Sequence, residues 1–138
     1  MSVKIVADSS CDLNEDLKKE LGITIVPLTL YVGNGTYKDD ESLDVKAMLK
    51  EMAECPNASK TSCPSPNDFI NAYKGPDSIF AVTLSSALSG TFESAMLARK
   101  MLLESAENKF VHVFDSLSAS IGETLISIKI FELAKKSY

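Results

Sequence analysis

The chain predicts an α/β fold, a mainly parallel sheet with helices on both faces and an attached β-hairpin. Three observations carry this expectation. Short runs rich in β-branched and aromatic residues (VKIVA at 3–7, SIFAVTLS at 78–85 and FVHVFDS at 110–116) alternate with segments of helical pattern. Each run empties into Asp, Ser or Thr just where a helix follows. A GNG turn at 33–35, whose residues tolerate positive φ, joins two extended stretches with no helix between them. Strands separated by helices pair in parallel and need cover on both faces.

Taken in order, residues 3–7 form a strand that DSSCD ends. Ser10 or Asp12 caps a helix running through Leu21, and Gly22 stops it in the left-handed region. ITIVPLTLYV at 23–32 is extended, with Pro27 marking an edge or a bend. The GNG turn returns the chain through a short strand, TYKDD at 36–40. Asp44 caps a helix to about Glu54, residues 55–65 are a loop, and Pro66 sits in the first turn of the helix SPNDFINAY at 65–73. SIFAVTLS is a buried strand, residues 90–104 a helix, FVHVFDS another buried strand, and residues 116–136 the last helix.

That last helix carries Leu117, Ile121, Leu125, Ile126, Ile128, Ile130, Phe131, Leu133 and Ala134, which leave it almost no polar face. A helix apolar all round is covered from two sides. The sheet supplies one, so the expectation is that these residues, 1–138, form one half of a longer protein. An isolated half would expose apolar surface and self-associate through it.

Composition narrows the function. The 138 residues are enough for one domain with a real core, and 45% hydrophobic with 24% charged residues reads as a soluble globular domain. A net charge of −5 disfavours a nucleic-acid surface, and no Lys/Arg cluster is present to hold an anionic membrane. No apolar run is long enough to span a bilayer, and MSVKIVADSS has no apolar signal region. Three cysteines without a CxxC pair, and a single histidine, disfavour structural zinc; reduced thiols and a cytoplasmic location are the expectation.

Ligands of open α/β sheets bind at the carboxyl ends of the strands. Four hydroxyl-rich segments are expected there: Asp8-Ser9-Ser10, KTSCPSP at 60–66, SSALSGT at 85–91 and Asp115-Ser116-Leu117-Ser118. A serine or threonine before a helix is ordinarily only a cap, but four such segments at one edge suit a hydrogen-bond acceptor, an anion above all. No GxxxxGK[ST], GxGxxG or GxSxG motif occurs. His112, inside FVHVF, reads as a packed strand histidine, Asp8 and Asp115 as caps of nearby N–H groups, and Cys63 beside Pro64 as an inert loop thiol. Hydroxyls without a base suit binding better than catalysis. The residues by themselves leave open a small phosphorylated ligand at the strand ends, another anion, or a plain interaction domain.

The segments IVADSSCDL, KTSCPSP, TLSSALSGTFESA and VFDSLSAS, in this order and spacing, resemble the DegV family of bacterial fatty-acid-binding proteins. The resemblance covers essentially the whole chain and implies an N-terminal α/β domain, with a second α/β domain following in the family. It implies a long-chain fatty acid such as hexadecanoate as ligand and no cofactor. The carboxylate would be held by the threonine of TSxPS and the serine before glycine in LSGT, which are Thr61 and Ser89 here. Ser62 and the N–H groups of Gly90 and Thr91 would help. It implies a carrier rather than an enzyme, one that delivers its fatty acid to a fatty acid kinase. The sequence departs from the family at Cys63, where glutamine is common, and at ETL (123–125), where a second glycine often follows SASIG.

Overall fold

The computed structural model describes residues 2–75, 78–105 and 108–137. The elements run β1 (Val3–Asp8), α1 (Glu15–Leu21), β2 (Thr24–Val26), β3 (Thr29–Val32), β4 (Gly35–Lys38), α2 (Val45–Glu54), β5 (Lys60–Ser62), α3 (Pro66–Ala72), β6 (Ser78–Thr83), α4 (Thr91–Ser105), β7 (Phe110–Asp115) and α5 (Ile121–Lys136). The expected α/β class holds. Four strands pair in the order β2-β1-β6-β7, every neighbour parallel. Because β1 has β2 on one side and β6 on the other, the strand order reverses beside β1. The crevice at the carboxyl ends of β1 and β6 is therefore the switch point of the sheet.

Side chains alternate across the strands and build two core layers. Val6, Ile79, Ala81, Val111 and Val113 face Phe69, Ala72 and Tyr73 from the α3 region and Ala95 and Ala98 of α4. The small residues at 81, 95 and 98 let α4 lie close to the sheet. On the other face Ile5, Ala7 and Val82 pack with Leu21 and Ile130, so α1 and α5 cover the centre of the sheet. β7 lies at the edge, where Arg99 of α4 donates to the Val111 carbonyl at 2.6 Å and occupies an acceptor that another chain would otherwise pair with.

Four local expectations are corrected. First, α1 starts at Glu15 with Asn14 as its cap (Leu17 N–H to Asn14 Oδ1, 2.8 Å), not at Ser10 or Asp12. Those two side chains are engaged elsewhere, Ser10 with Asp8 and Glu123, and Asp12 with Ser120. Gly22 does stop the helix, at φ 57°.

Second, residues 55–65 are not all loop. Lys60–Ser62 form β5, which pairs antiparallel with β3 and turns the expected hairpin into a three-stranded sheet β4-β3-β5. Three polar residues carry no periodicity of their own; the free edge of β3 decides their conformation. Pro27 marks the bend that separates β2 from β3 and sends them to different sheets.

Third, the last helix begins at Ile121 rather than at residue 116. Leu117 and Ser120 hold positive φ (52° and 58°), which no helix continues through. Fourth, the sheet-facing side of α5 is polar at its start. Glu123, Thr124 and Ser127 are buried with Ile130, while Ile121, Leu125 and Leu133 are more than half exposed. The apolar surplus expected from the sequence thus faces outward, and no described element covers it.

Phe69 is fully buried, with its ring 5.9 Å from that of Tyr73. Phe69→Ala is expected to cost about 3–5 kcal/mol, read as a lower urea midpoint at unchanged slope.

Candidate functional site

The carboxyl edge is built around two aspartates that end β1 and β7, the strands on either side of β6. Asp8 of β1 is fully buried. Its Oδ2 accepts the Leu84 N–H at 2.6 Å across the switch point, while Oδ1 accepts the Ser10 N–H at 3.0 Å and the Ser10 hydroxyl at 2.7 Å. Asp115 of β7 accepts the N–H groups of Ser86 and Leu117, both at 3.1 Å, and the Ser86 hydroxyl. These donors, the Ser86 hydroxyl foremost, hold its carboxyl below the usual range. Both aspartates thus do what the sequence suggests, satisfying backbone N–H groups. Two backbone bonds finish the staple: Ser85 N–H to the Ser118 carbonyl at 2.9 Å, and Ser116 N–H to the Thr83 carbonyl at 3.2 Å.

The segments 8–10, 85–91 and 115–118 therefore meet at one edge, as expected. The fourth, 60–66, arrives by way of β5. An ideal Cβ on Gly90 would lie 3.4 Å from Cys63 Sγ, and Cys63 Sγ is 3.8 Å from the Ser94 hydroxyl. The stretch that follows Thr61 and Ser62 is accordingly packed against the first turn of α4. Thr61 is exposed and pairs with Leu30, whereas the Ser62 hydroxyl is 3.4 Å from that of Tyr31.

At the start of α4, Ser89 Oγ accepts the Thr91 N–H at 3.2 Å and lies 2.9 Å from the Thr91 hydroxyl. Thr91 is fully buried, Ser89 partly and Gly90 exposed. The Thr91 N–H is thus engaged with the Ser89 hydroxyl. Every donor named at this edge is a neutral hydroxyl or N–H, and the α4 N-terminus adds a partial positive charge.

His112 is elsewhere. It stands in the middle of β7, exposed, with its ring edge-on to Phe114 at 4.5 Å. The expected packing fails because β7 is an edge strand beyond the reach of α5. Cys11 is buried, and burial first of all pushes its thiol above the ordinary value, which leaves it a poor nucleophile. Among the described residues no group of three or more His, Cys, Asp and Glu side chains is placed to hold a metal.

One buried group escaped the sequence reading. Glu123, in the first turn of α5, is fully buried and hydrogen-bonds to the Ser10 hydroxyl. Its only sequence signal is an acid at the head of an otherwise apolar helix.

A family model described as "Uncharacterised protein, DegV family" matches residues 2–137. This chain belongs to the DegV family. A DegV domain-containing protein of Streptococcus gordonii is 42% identical over 135 residues, 96% of this chain and 48% of that protein. A DegV family protein of Ruminococcus gnavus, refined with vaccenic acid, superposes with a TM-score of 0.94 at 37% identity, covering 100% of this chain and 50% of its own. The fatty acid kinase B3 protein of Streptococcus pneumoniae, loaded with linoleic acid, gives a TM-score of 0.88 at 35% identity with the same coverage. The chain spans about half the length of the relatives it matches.

The Asp115 staple has a pH signature. Its depressed carboxyl contributes stability above the unfolded value of about 4 and loses it as pH falls through the folded value. Hydrogen exchange at the Ser86 and Leu117 amides is expected to accelerate over that acid range, beyond the intrinsic trend. Asp115→Asn should flatten this dependence and leave exchange in β1 unchanged.

Proposed function

We propose that this chain holds the carboxylate of a long-chain fatty acid at the edge where β5 meets the start of α4. Thr61 and Ser89 donate to the carboxylate, with Ser62 and the Gly90 N–H in support. The observation that carries this reading is the contact of Cys63 with Gly90 and Ser94, which draws the TSCPS and LSGT segments to one place. Ser89 Oγ accepts the Thr91 N–H, and in this reading the Thr91 hydroxyl also donates to it, which leaves the Ser89 hydrogen for an outside acceptor. The fatty acids held in related structures favour a carboxylate over a phosphate as that acceptor.

The energetics suit a lipid. Burying about fifteen methylenes at ~0.8 kcal/mol each is worth roughly 12 kcal/mol, so the tail dominates affinity. The head group then needs only about 1.5–3 kcal/mol per charge-assisted bond to fix its orientation. In this reading the chain is the N-terminal domain of a carrier. The family's second α/β domain covers the α5 face, and a fatty acid kinase receives the bound acid and performs the phosphoryl chemistry. In this reading the chain itself is no catalyst: Ser89 is oriented by the N–H and hydroxyl of Thr91 rather than by a base, and His112 stands mid-strand on an exposed face.

Ser89→Ala combined with Thr61→Val is expected to weaken binding of a fluorescent fatty acid by about tenfold or more, for one or two lost bonds. Unchanged binding by the folded double variant would refute the assignment. Native mass spectrometry of the freshly purified chain should show a retained fatty acid; a polar phosphate in its place would favour the small-anion reading.

Exposed Ile121, Leu125 and Leu133 on α5 carry a second expectation. The 138-residue chain should self-associate in sedimentation velocity, and Leu125→Lys with Leu133→Lys should return it towards monomer. A wild-type monomer that leaves a hydrophobic dye dark at high concentration would count against it.

A further inference from the structure

Two carboxylates lie buried on either side of one hydroxyl. The Ser10 hydroxyl is 2.7 Å from Asp8 Oδ1 and also bonds Glu123 Oε2, yet it has a single hydrogen to give. Glu123 Oε1 is buried with no hydrogen-bond partner. The titratable groups that face Glu123 are Asp8 of β1 and Cys11 and Asp12 of the loop after it; its neighbours on α5 are Thr124 and Ser127. None of them is a cation. An ionised Glu123 would be a buried charge facing two aspartates, and such an arrangement is stable only if one acid keeps its proton.

A neutral Glu123 resolves the geometry. Its O–H donates to Ser10 Oγ, whose hydrogen then goes to Asp8 Oδ1. The relay leads into the hydroxyl-bearing loops. Asp8 Oδ2 holds the Leu84 N–H, the Ser118 carbonyl holds Ser85, and Thr124 donates to the Asp12 carbonyl at 2.6 Å. The Ser120 hydroxyl also donates to Asp12.

We propose that Glu123, Ser10 and Asp8 form a proton latch. It fastens the first turn of α5, and with it segments 84–86 and 116–120, to the carboxyl end of β1 while Glu123 is protonated, and it releases them when the proton leaves. Burial first, then the charge of Asp8, pushes the Glu123 carboxyl from 4.5 up to about 8, so the latch is closed at neutral pH. The folded value lies above the unfolded one. The contribution to stability is therefore complete below about 4.5, declines as pH rises, and is gone once pH has passed through about 8. The latch concerns the fold alone and stands or falls independently of which anion the edge binds.

The test uses the 138-residue chain without ligand. Carbon-detected NMR of the Glu123 side-chain carboxyl should show a titration near 8. Amide exchange at Leu84, Ser85 and Ser118, corrected for intrinsic base catalysis, should rise about tenfold between about pH 6.5 and about pH 9.5. Glu123→Gln, which keeps a donor towards Ser10 but no proton to lose, should abolish that rise. A Glu123 carboxyl that titrates in the ordinary carboxylate range would overturn the proposal, as would an unaltered exchange profile in Glu123→Gln. If the variant fails to fold, the wild-type carboxyl titration decides alone.

Discussion

The carboxylate of Asp8 is the interaction on which the rest of the edge depends. It is buried at the one point where the strand order reverses, between β1 and β6. A parallel sheet leaves the N–H groups just past its carboxyl ends without ladder partners, and burial there makes an unpaired donor costly. Asp8 supplies acceptors to both sides at once, Leu84 after β6 and Ser10 after β1. Asp115 repeats the arrangement one strand further out, and the two carboxylates frame the SSALSGT loop between them. The loop's own hydroxyls are thereby spared much of the work of satisfying its backbone.

That division of labour suits a binding edge. Acidic side chains secure the scaffold from below, while neutral hydroxyls and a helix N-terminus face outward. A site of neutral donors can take up a carboxylate without the desolvation cost of a bare buried cation. Orientation of a hydroxyl by another hydroxyl and an N–H, as at Ser89 and Thr91, fixes its direction without supplying a base. Solved structures similar to this chain were refined with vaccenic acid or loaded with linoleic acid.

Helix α5 shows how a local rule can mislead and still point to something real. Its apolar residues call for two covers, and the exposed Ile121, Leu125 and Leu133 mark where the second would lie. The sheet side of its first turns is instead polar, because the carboxyl edge needs groups that hydrogen-bond to the β1 loop. Thr124 reaches the Asp12 carbonyl and Ser127 returns to its own helix at the Glu123 carbonyl, so only Glu123 is left holding a charge problem.

Read alone, the sequence determines the parallel α/β class, the existence of strands β6 and β7, the bend at Pro27 and the cap at Asp44, but not that β7 lies exposed at the edge. Each of these rests on local chemistry: β-branched runs, a side chain that bonds its own helix start, a residue with no N–H. The four hydroxyl segments were legible for the same reason, as were the capping aspartates. What only the tertiary structure decides is everything set by distant partners. β5 exists because β3 offers an edge; α1 is capped by Asn14 because Ser10 and Asp12 are claimed by residues more than a hundred positions away. Leu117 and Ser120 take positive φ because the turn is pinned to Thr83 and Asp115. Glu123 is the clearest case. Its burial beside Asp8 is a fact about two ends of the chain meeting, and no window of sequence around either residue contains it.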